Sequence, residues 1–239
     1  MFFCVIIPVI LTASVFAQSS QYLFGPSFGI RRYPGNNAII TSFETTLIPG
    51  APSSPAQVRL AIWPGLDTSN GDLIQPIIVS SSEPLYTSSG CKNSAANKWC
   101  VFASTLHNMR QITGPQAPLD GKDALRMKIK YNVETKKYDQ TLRINDKVVS
   151  TLSTSSGKAT GFYMQTECQG TYKGIVSAHS YYNTTIVLES PDPKWGLRPT
   201  RILRSSAEIA TTSDMGKTWF WQEIRLKQSL APDEYKPNQ

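Results

Sequence analysis

The chain reads as an all-β protein, two packed antiparallel sheets forming a β-sandwich. Three observations point there. Apolar and polar residues alternate over short stretches, as where Leu125, Met127, Ile129 and Tyr131 are interleaved with Arg126, Lys128 and Lys130. That period of two marks a strand with one buried face. Turn residues (Gly, Pro, Asn) recur at regular intervals between these stretches, the spacing of a sandwich or barrel. No segment carries the 3.6-residue period of a long amphipathic helix. At 239 residues and 40% hydrophobic content, the chain is long enough for a substantial core, as one β-rich domain or two small ones. The division adopted is a single sandwich domain over 38–228.

In chain order, residues 1–17 predict a signal peptide. Met1 to Leu11 is an apolar run of about signal length, and Val15-Phe16-Ala17 places small residues before Gln18-Ser19-Ser20. No other run reaches the ~18 apolar residues of a membrane span. The expected product is therefore secreted and extracellular, with no membrane span in the mature chain. Residues 18–37, rich in Gly, Pro and aromatics, predict an extended N-terminal arm. Ala38 to Ile48 predicts a strand. Val58 to Trp63 predicts another, closed by Pro64-Gly65 and the turn Asp67 to Gly71. Leu73 to Val79 resumes as an apolar strand with Gln75 set inside it. Pro76 cannot donate to a ladder, so it implies an edge, a bulge or a gap in pairing.

Ser80 to Lys98 predicts a polar loop, Trp99 to Thr105 a short strand, and Asn108 to Lys122 another loop. The clearest hairpin follows: Leu125 to Tyr131, a turn at Glu134 to Lys137, and a return over Tyr138 to Ile144. Asn145-Asp146-Lys147 then turns into Val148 to Leu152. Phe162 to Glu167, Ile175 to Glu189, Ile202 to Ala210 and Thr218 to Lys227 complete the strands, with Trp195 in a Pro-rich connection. Residues 229–239 predict a frayed tail.

Cysteine usage suits an oxidising compartment. Cys4 leaves with the signal, and Cys91 and Cys100 bracket a short loop that a disulfide can close. Cys168 is then free, buried or paired between chains. No metal site is expected, because His107 and His179 are the two histidines and no ligand spacing accompanies them. No cofactor is expected either. Asn183-Thr184-Thr185 is a glycosylation sequon. The net charge of +7 comes with no nucleic-acid-binding module, so nucleic acid is not an expected partner. The basic residues of the hairpin, Lys128, Lys130, Lys136, Lys137, Arg143 and Lys147, read as a solvated face, with an acidic glycan or other anionic surface as the alternative. The expected oligomeric state is a monomer.

Candidate chemistry is sparse. A Ser-His-Asp triad has little support from two histidines. Glu167 and Glu189 fall on neighbouring predicted strands and offer a carboxylate pair for glycoside cleavage. Trp63, Trp99, Tyr163, Tyr181 and Trp195 are candidate sugar-stacking aromatics, although core packing is the commoner fate of each.

Trp63-Pro64-Gly65-Leu66, Gly71 to Pro76, Trp99-Cys100-Val101, Glu167 to Gly170 and Thr185 to Glu189 resemble secreted fungal-type proteins of concanavalin A-like lectin/glucanase fold. The resemblance covers Gln57 to Glu189 and implies a jelly-roll sandwich. That group is similar in layout to the glutamic peptidases, or eqolisins, which place a Gln and a Glu on one concave sheet. The likeness implies Gln75 and Glu189 as that pair, without the family's Trp-Tyr-Glu-Trp-Tyr and Ala-Glu-Trp-Ile-Val-Glu runs. Two functions follow as expectations. The first is binding of extracellular glycan or cell-wall polysaccharide in a cleft lined by Trp63, Trp99, Tyr163, Glu167 and Gln75. The second is acid hydrolysis, of a polypeptide or glycan, by Gln75 and Glu189.

Overall fold

A computed structural model describes residues 22–31, 38–53, 59–81, 91, 99–169 and 174–231. Positions 1–17, expected to form a signal peptide, and residues 92–98 within the Cys91–Cys100 bridge lie outside the described residues.

The strands are β1 (Tyr22–Ile30), β2 (Ile40–Ile48), β3 (Arg59–Thr68), β4 (Leu73–Ile74), β5 (Ile77–Ser80), β6 (Trp99–Phe102), β7 (Ser104–His107), β8 (Arg110–Thr113), β9 (Ala117–Leu119) and β10 (Leu125–Asn132). They continue as β11 (Lys137–Ile144), β12 (Lys147–Thr154), β13 (Ala159–Gln169), β14 (Gly174–Val176), β15 (His179–Leu188), β16 (Arg201–Leu203), β17 (Ser205–Ala207), β18 (Thr218–Leu226) and β19 (Ser229–Ala231).

All pairings are antiparallel and, apart from the separate β14–β19 pair, they fall into two layers. The first runs β12–β11–β10–β2–β15–β18–β17. The second runs β16–β1–β13–β3 and then divides. One branch is β5–β6–β9, the other β4–β7–β8. The layers meet at a corner where Ala159 pairs with Ile40. The Tyr138 hydroxyl clamps that corner, donating to the Ile40 carbonyl at 3.1 Å and accepting from the Ala159 N–H at 2.9 Å.

The core between the layers follows from the period-two pattern. Phe43, Met127, Ile129, Ile186 and Trp221 project from the first layer, and Phe28, Ile62, Ile74, Phe162 and Met164 from the second. Phe162 sits at the centre, its ring 5.7 Å from Trp221, 5.9 Å from Trp195 and 6.1 Å from Phe28. These tilted contacts are the geometry that aromatic rings favour. Trp195 is thus a core residue held by a 3-10 turn, and Tyr181 is equally buried.

Turn chemistry behaves as the sequence suggests. Asn145 and Asp146 both adopt positive φ, 48° and 62°, joining β11 to β12. That is the left-handed pair a two-residue hairpin loop requires. Asn108 and Met109 do the same between β7 and β8.

Three expectations are corrected. The N-terminal arm is part of the sheet: β1 lies between β13 and β16, with Phe28 and Ile30 in the core. Gly25-Pro26 breaks its register between Phe24 and Ser27, which disguises the strand in sequence. The loop expected over 108–122 contains β8 and β9. At the other end, Ser229–Ala231 pairs with β14 rather than fraying.

One core group makes stability depend on pH. His179 is buried, donates from Nδ1 to the Ser177 carbonyl at 3.0 Å, and has no partner at Nε2 among the described residues. Burial pushes its pKa down to about 4 from 6.5, with the Ser177 bond opposing. The unfolded chain therefore takes up a proton that the folded chain refuses. The histidine's contribution is intact above pH 6.5 and is lost as pH falls towards about 4. Chemical denaturation at pH 5 should show about 2 kcal/mol less stability from this group than at pH 7. His179→Leu should flatten that part of the profile. An unchanged profile in the variant would contradict this assignment.

Candidate functional site

In the second layer the central strands β3, β5, β6 and β13 are buried on both faces. Its inner face makes the main core. Its outer face carries a second apolar cluster of Ala61, Trp63, Ile77, Val79, Cys100, Phe102 and Tyr163. Alternation along the chain puts Gln75 on this outer face, since Ile74 and Ile78 both enter the main core.

Gly65 is the centre of the arrangement. Along β3, Trp63 and Asp67 are its neighbours on the same face. On one side β13 sets Tyr163 directly opposite Gly65. On the other, Leu66 pairs with Ile74 and Ile62 with Ile78 in one continuous register. That register sets Gln75 opposite Gly65 and Pro76 opposite Pro64. Neither proline can donate to a ladder, which accounts for the gap between β4 and β5. Released from β3, the Gln75 N–H bonds instead to the Ser104 carbonyl at 2.9 Å. Gly65 leaves room for the Trp63 ring: a Cβ there would lie 3.2 Å from it and 3.0 Å from Leu73 Cδ1. Gly29, opposite Tyr163 on β1, has a similar reason, because a Cβ would run into the Phe162 carbonyl oxygen and the Tyr163 ring.

The polar groups of this face include two hydrogen-bonded sets beside Gly65, the Gln75 amide, and Gln165, whose Nε2 donates to the Gly25 carbonyl at 3.3 Å. The Trp63 indole donates to Glu167 Oε2 at 3.1 Å. Tyr163 accepts from Arg31 Nε at 2.8 Å, donates to Asp67, and has the Arg31 guanidinium 5.9 Å from its ring centroid. Burial raises the pKa of the Asp67 carboxyl, against the lowering effect of the Tyr163 bond and the charges of Arg31 and Arg201. Burial, reinforced by the Asp67 charge, pushes the Tyr163 hydroxyl up to about 12. Gln75 is 5% exposed, and its Oε1 has no hydrogen-bond partner among the described residues. Leaving such an acceptor unpaired costs roughly 1–3 kcal/mol.

The sequence candidates separate accordingly. Gln75, Trp63, Tyr163 and Glu167 share the outer face of the second layer. Trp99 does not. It is 1% exposed in the main core, and its indole donates to the Gly50 carbonyl at 2.8 Å. Parity decides this, since Cys100 and Phe102 take the outer positions of β6.

Glu189 is not brought to Gln75. It follows β15 in the first layer, where its N–H bonds to Ile39 and its exposed carboxylate pairs with Lys158 at 3.1 Å. Its outward parity is as expected, but the outward faces of the two layers lie on opposite sides of the sandwich. The sequence reading passed over Asp67 as a turn residue. Its place two positions after Gly65 on an alternating strand was the available signal.

Cys91 and Cys100 form a disulfide, with a Cα separation of 5.9 Å. Cys168 is free and buried, and burial pushes its thiol up to about 12, an unreactive state. Asn183 is exposed at a bulge of β15, with φ 51°. Among the described residues, no cluster of three His, Cys, Asp or Glu is placed to hold a metal. No described helix is long and apolar enough to cross a membrane.

No family model matches the chain, and no curated protein matches it. Solved structures similar to it include a scytalido-glutamic peptidase with a peptide-based transition-state analogue. That likeness has 11% identity and a TM-score of 0.49, covering 85% of this chain and 99% of the other. A legume lectin-like domain from Entamoeba histolytica gives 10% and 0.33, covering 86% and 89%. A Bacillus licheniformis β-glucanase gives 7% and 0.33, covering 84% and 76%. The chain itself is an antiparallel β-sandwich, as its strand pairings show.

Proposed function

We propose that this is an extracellular carbohydrate-binding protein whose ligand enters the site around Gly65. The observation that carries the reading is the buried, unpartnered Oε1 of Gln75, set beside the half-buried Asp67 carboxyl and the Trp63–Glu167 pair. The site is rich in acceptors, and sugar hydroxyls are the donors that satisfy acceptors in such a setting. Trp63 and Tyr163 supply ring surface. Both rings are largely covered, so the site suits a chain end or a single sugar unit entering past Asp67 and Arg31. The signal segment, the Cys91–Cys100 bridge and a glycan on exposed Asn183 belong to the same reading.

A second reading is favoured by one observation. The register puts Asp67, not Glu189, diagonal to Gln75, and burial raises its carboxyl. An amide and a carboxyl so placed could activate a water and hold an oxyanion.

Pull-down on immobilised neutral polysaccharides near pH 7 tests the proposal. Asp67→Asn and Trp63→Ala should each weaken binding about tenfold or more, the worth of one good polar or stacking contact. Glu189→Gln should leave it unchanged. Cleavage of a protein substrate at about pH 4–6, lost in Asp67→Asn and kept in Glu189→Gln, would instead establish the hydrolase. Wild-type protein that neither binds nor cleaves would overturn both.

A further inference from the structure

The outer face of the first layer is a separate surface, on the far side of the sandwich from Gly65. Register fixes its rows. Arg143, Arg126, Thr46 and Tyr182 lie across neighbouring strands in one row, and Thr141, Lys128, Glu44 and Thr185 in the next. A third holds Asp139, Lys130, Ser42 and Val187. Successive cations on β10 are therefore ~6.6 Å apart along the strand, and neighbouring strands ~4.8 Å.

Two features of this face do nothing for folding. Arg126 and Arg143 are directly opposite on adjacent strands, an arrangement that costs stability through like-charge repulsion. The anions do not balance the cations. Glu44 is shared by Arg126 and Lys128. Asp139 stands opposite Lys130 but is held by Asn132 at 3.2 Å and Ser153 at 2.6 Å. Lys130 forms no ion pair among the described residues, and Arg143 bonds only to the Asp146 carbonyl, at 2.8 Å. Between and beside the cations lie the hydroxyls of Thr141, Thr46 and Ser42.

We infer that this face binds a linear anionic polysaccharide, one carrying carboxylate or sulfate groups, laid across β11, β10 and β2. The charge surplus answers the acidic groups, and the hydroxyl-bearing positions between the cations answer the sugar oxygens. A flat sheet face fits an extended polymer better than a globular partner. This site is independent of the one around Gly65.

The test is binding of the full chain to polygalacturonate, with a neutral β-glucan, duplex DNA and anionic phospholipid vesicles as comparators. Polygalacturonate should bind best, and binding should weaken steeply with added salt. The double variant Lys130→Gln with Arg143→Gln should lower affinity about thirtyfold at low salt and leave the Tm unchanged or raised. If it fails to fold, Lys130→Glu alone should give a loss of at least about tenfold. Asp67→Asn should keep polygalacturonate binding, which separates this face from the Gly65 site. Unchanged affinity in the basic-face variants, equal affinity of the Asp67→Asn protein for the neutral glucan, or tighter binding to DNA or vesicles would overturn the inference.

Discussion

The pairing of β3 with β13 is the constraint from which the rest of the second layer follows. Both strands are buried on both faces, so neither has an outside to which polar groups can be relegated. Leu60, Ile62 and Leu66 must fill the main core while Ala61 and Trp63 fill the cluster behind it. A strand of that kind cannot tolerate a slip of one residue. Two prolines then interrupt it. Pro64 and Pro76 face each other where β3 meets its next neighbour, and the missing ladder bonds free Gln75 to turn its backbone towards Ser104. Gly65, beside that gap, lets Trp63, Asp67, Tyr163 and Gln75 stand around one point of the sheet.

Much of this was legible in the residues. The β10–β11–β12 meander was plain because one face is solvated and the alternation is unbroken. The parity of Gln75 followed from Ile74 and Ile78, and the Cys91–Cys100 bridge from the short loop between them. The misses have physical causes. β1 was hidden because its last five residues are all buried, which removes the alternation, and because Gly25-Pro26 shifts its register. Trp99 was misplaced because a four-residue strand buried on both faces shows no polar positions from which to read its parity. Glu189 was placed with Gln75 because parity along one strand says which face a residue takes, but not which sheet the strand joins. That depends on β15 pairing with β2 and β18, a long-range choice.

The polar groups of the outer cluster differ in how well they are satisfied, and that difference bears on function. Glu167 is engaged by the Trp63 indole, and Asp67 by the Tyr163 hydroxyl. Such bonds repay the cost of burying polar groups. Gln75 lacks that repayment at its oxygen. A leucine would fill similar space without an unpaired acceptor; on the proposed reading, a bound sugar hydroxyl supplies the missing donor.

The most direct test is therefore Gln75→Leu, read for stability and for glycan binding in the same preparation. The account predicts that the variant is as stable as the natural protein, or more stable by up to about 1–3 kcal/mol, and that glycan binding at the Gly65 site is lost. A variant that is clearly destabilised yet binds as well as the natural protein would contradict it, and would make Gln75 a structural amide.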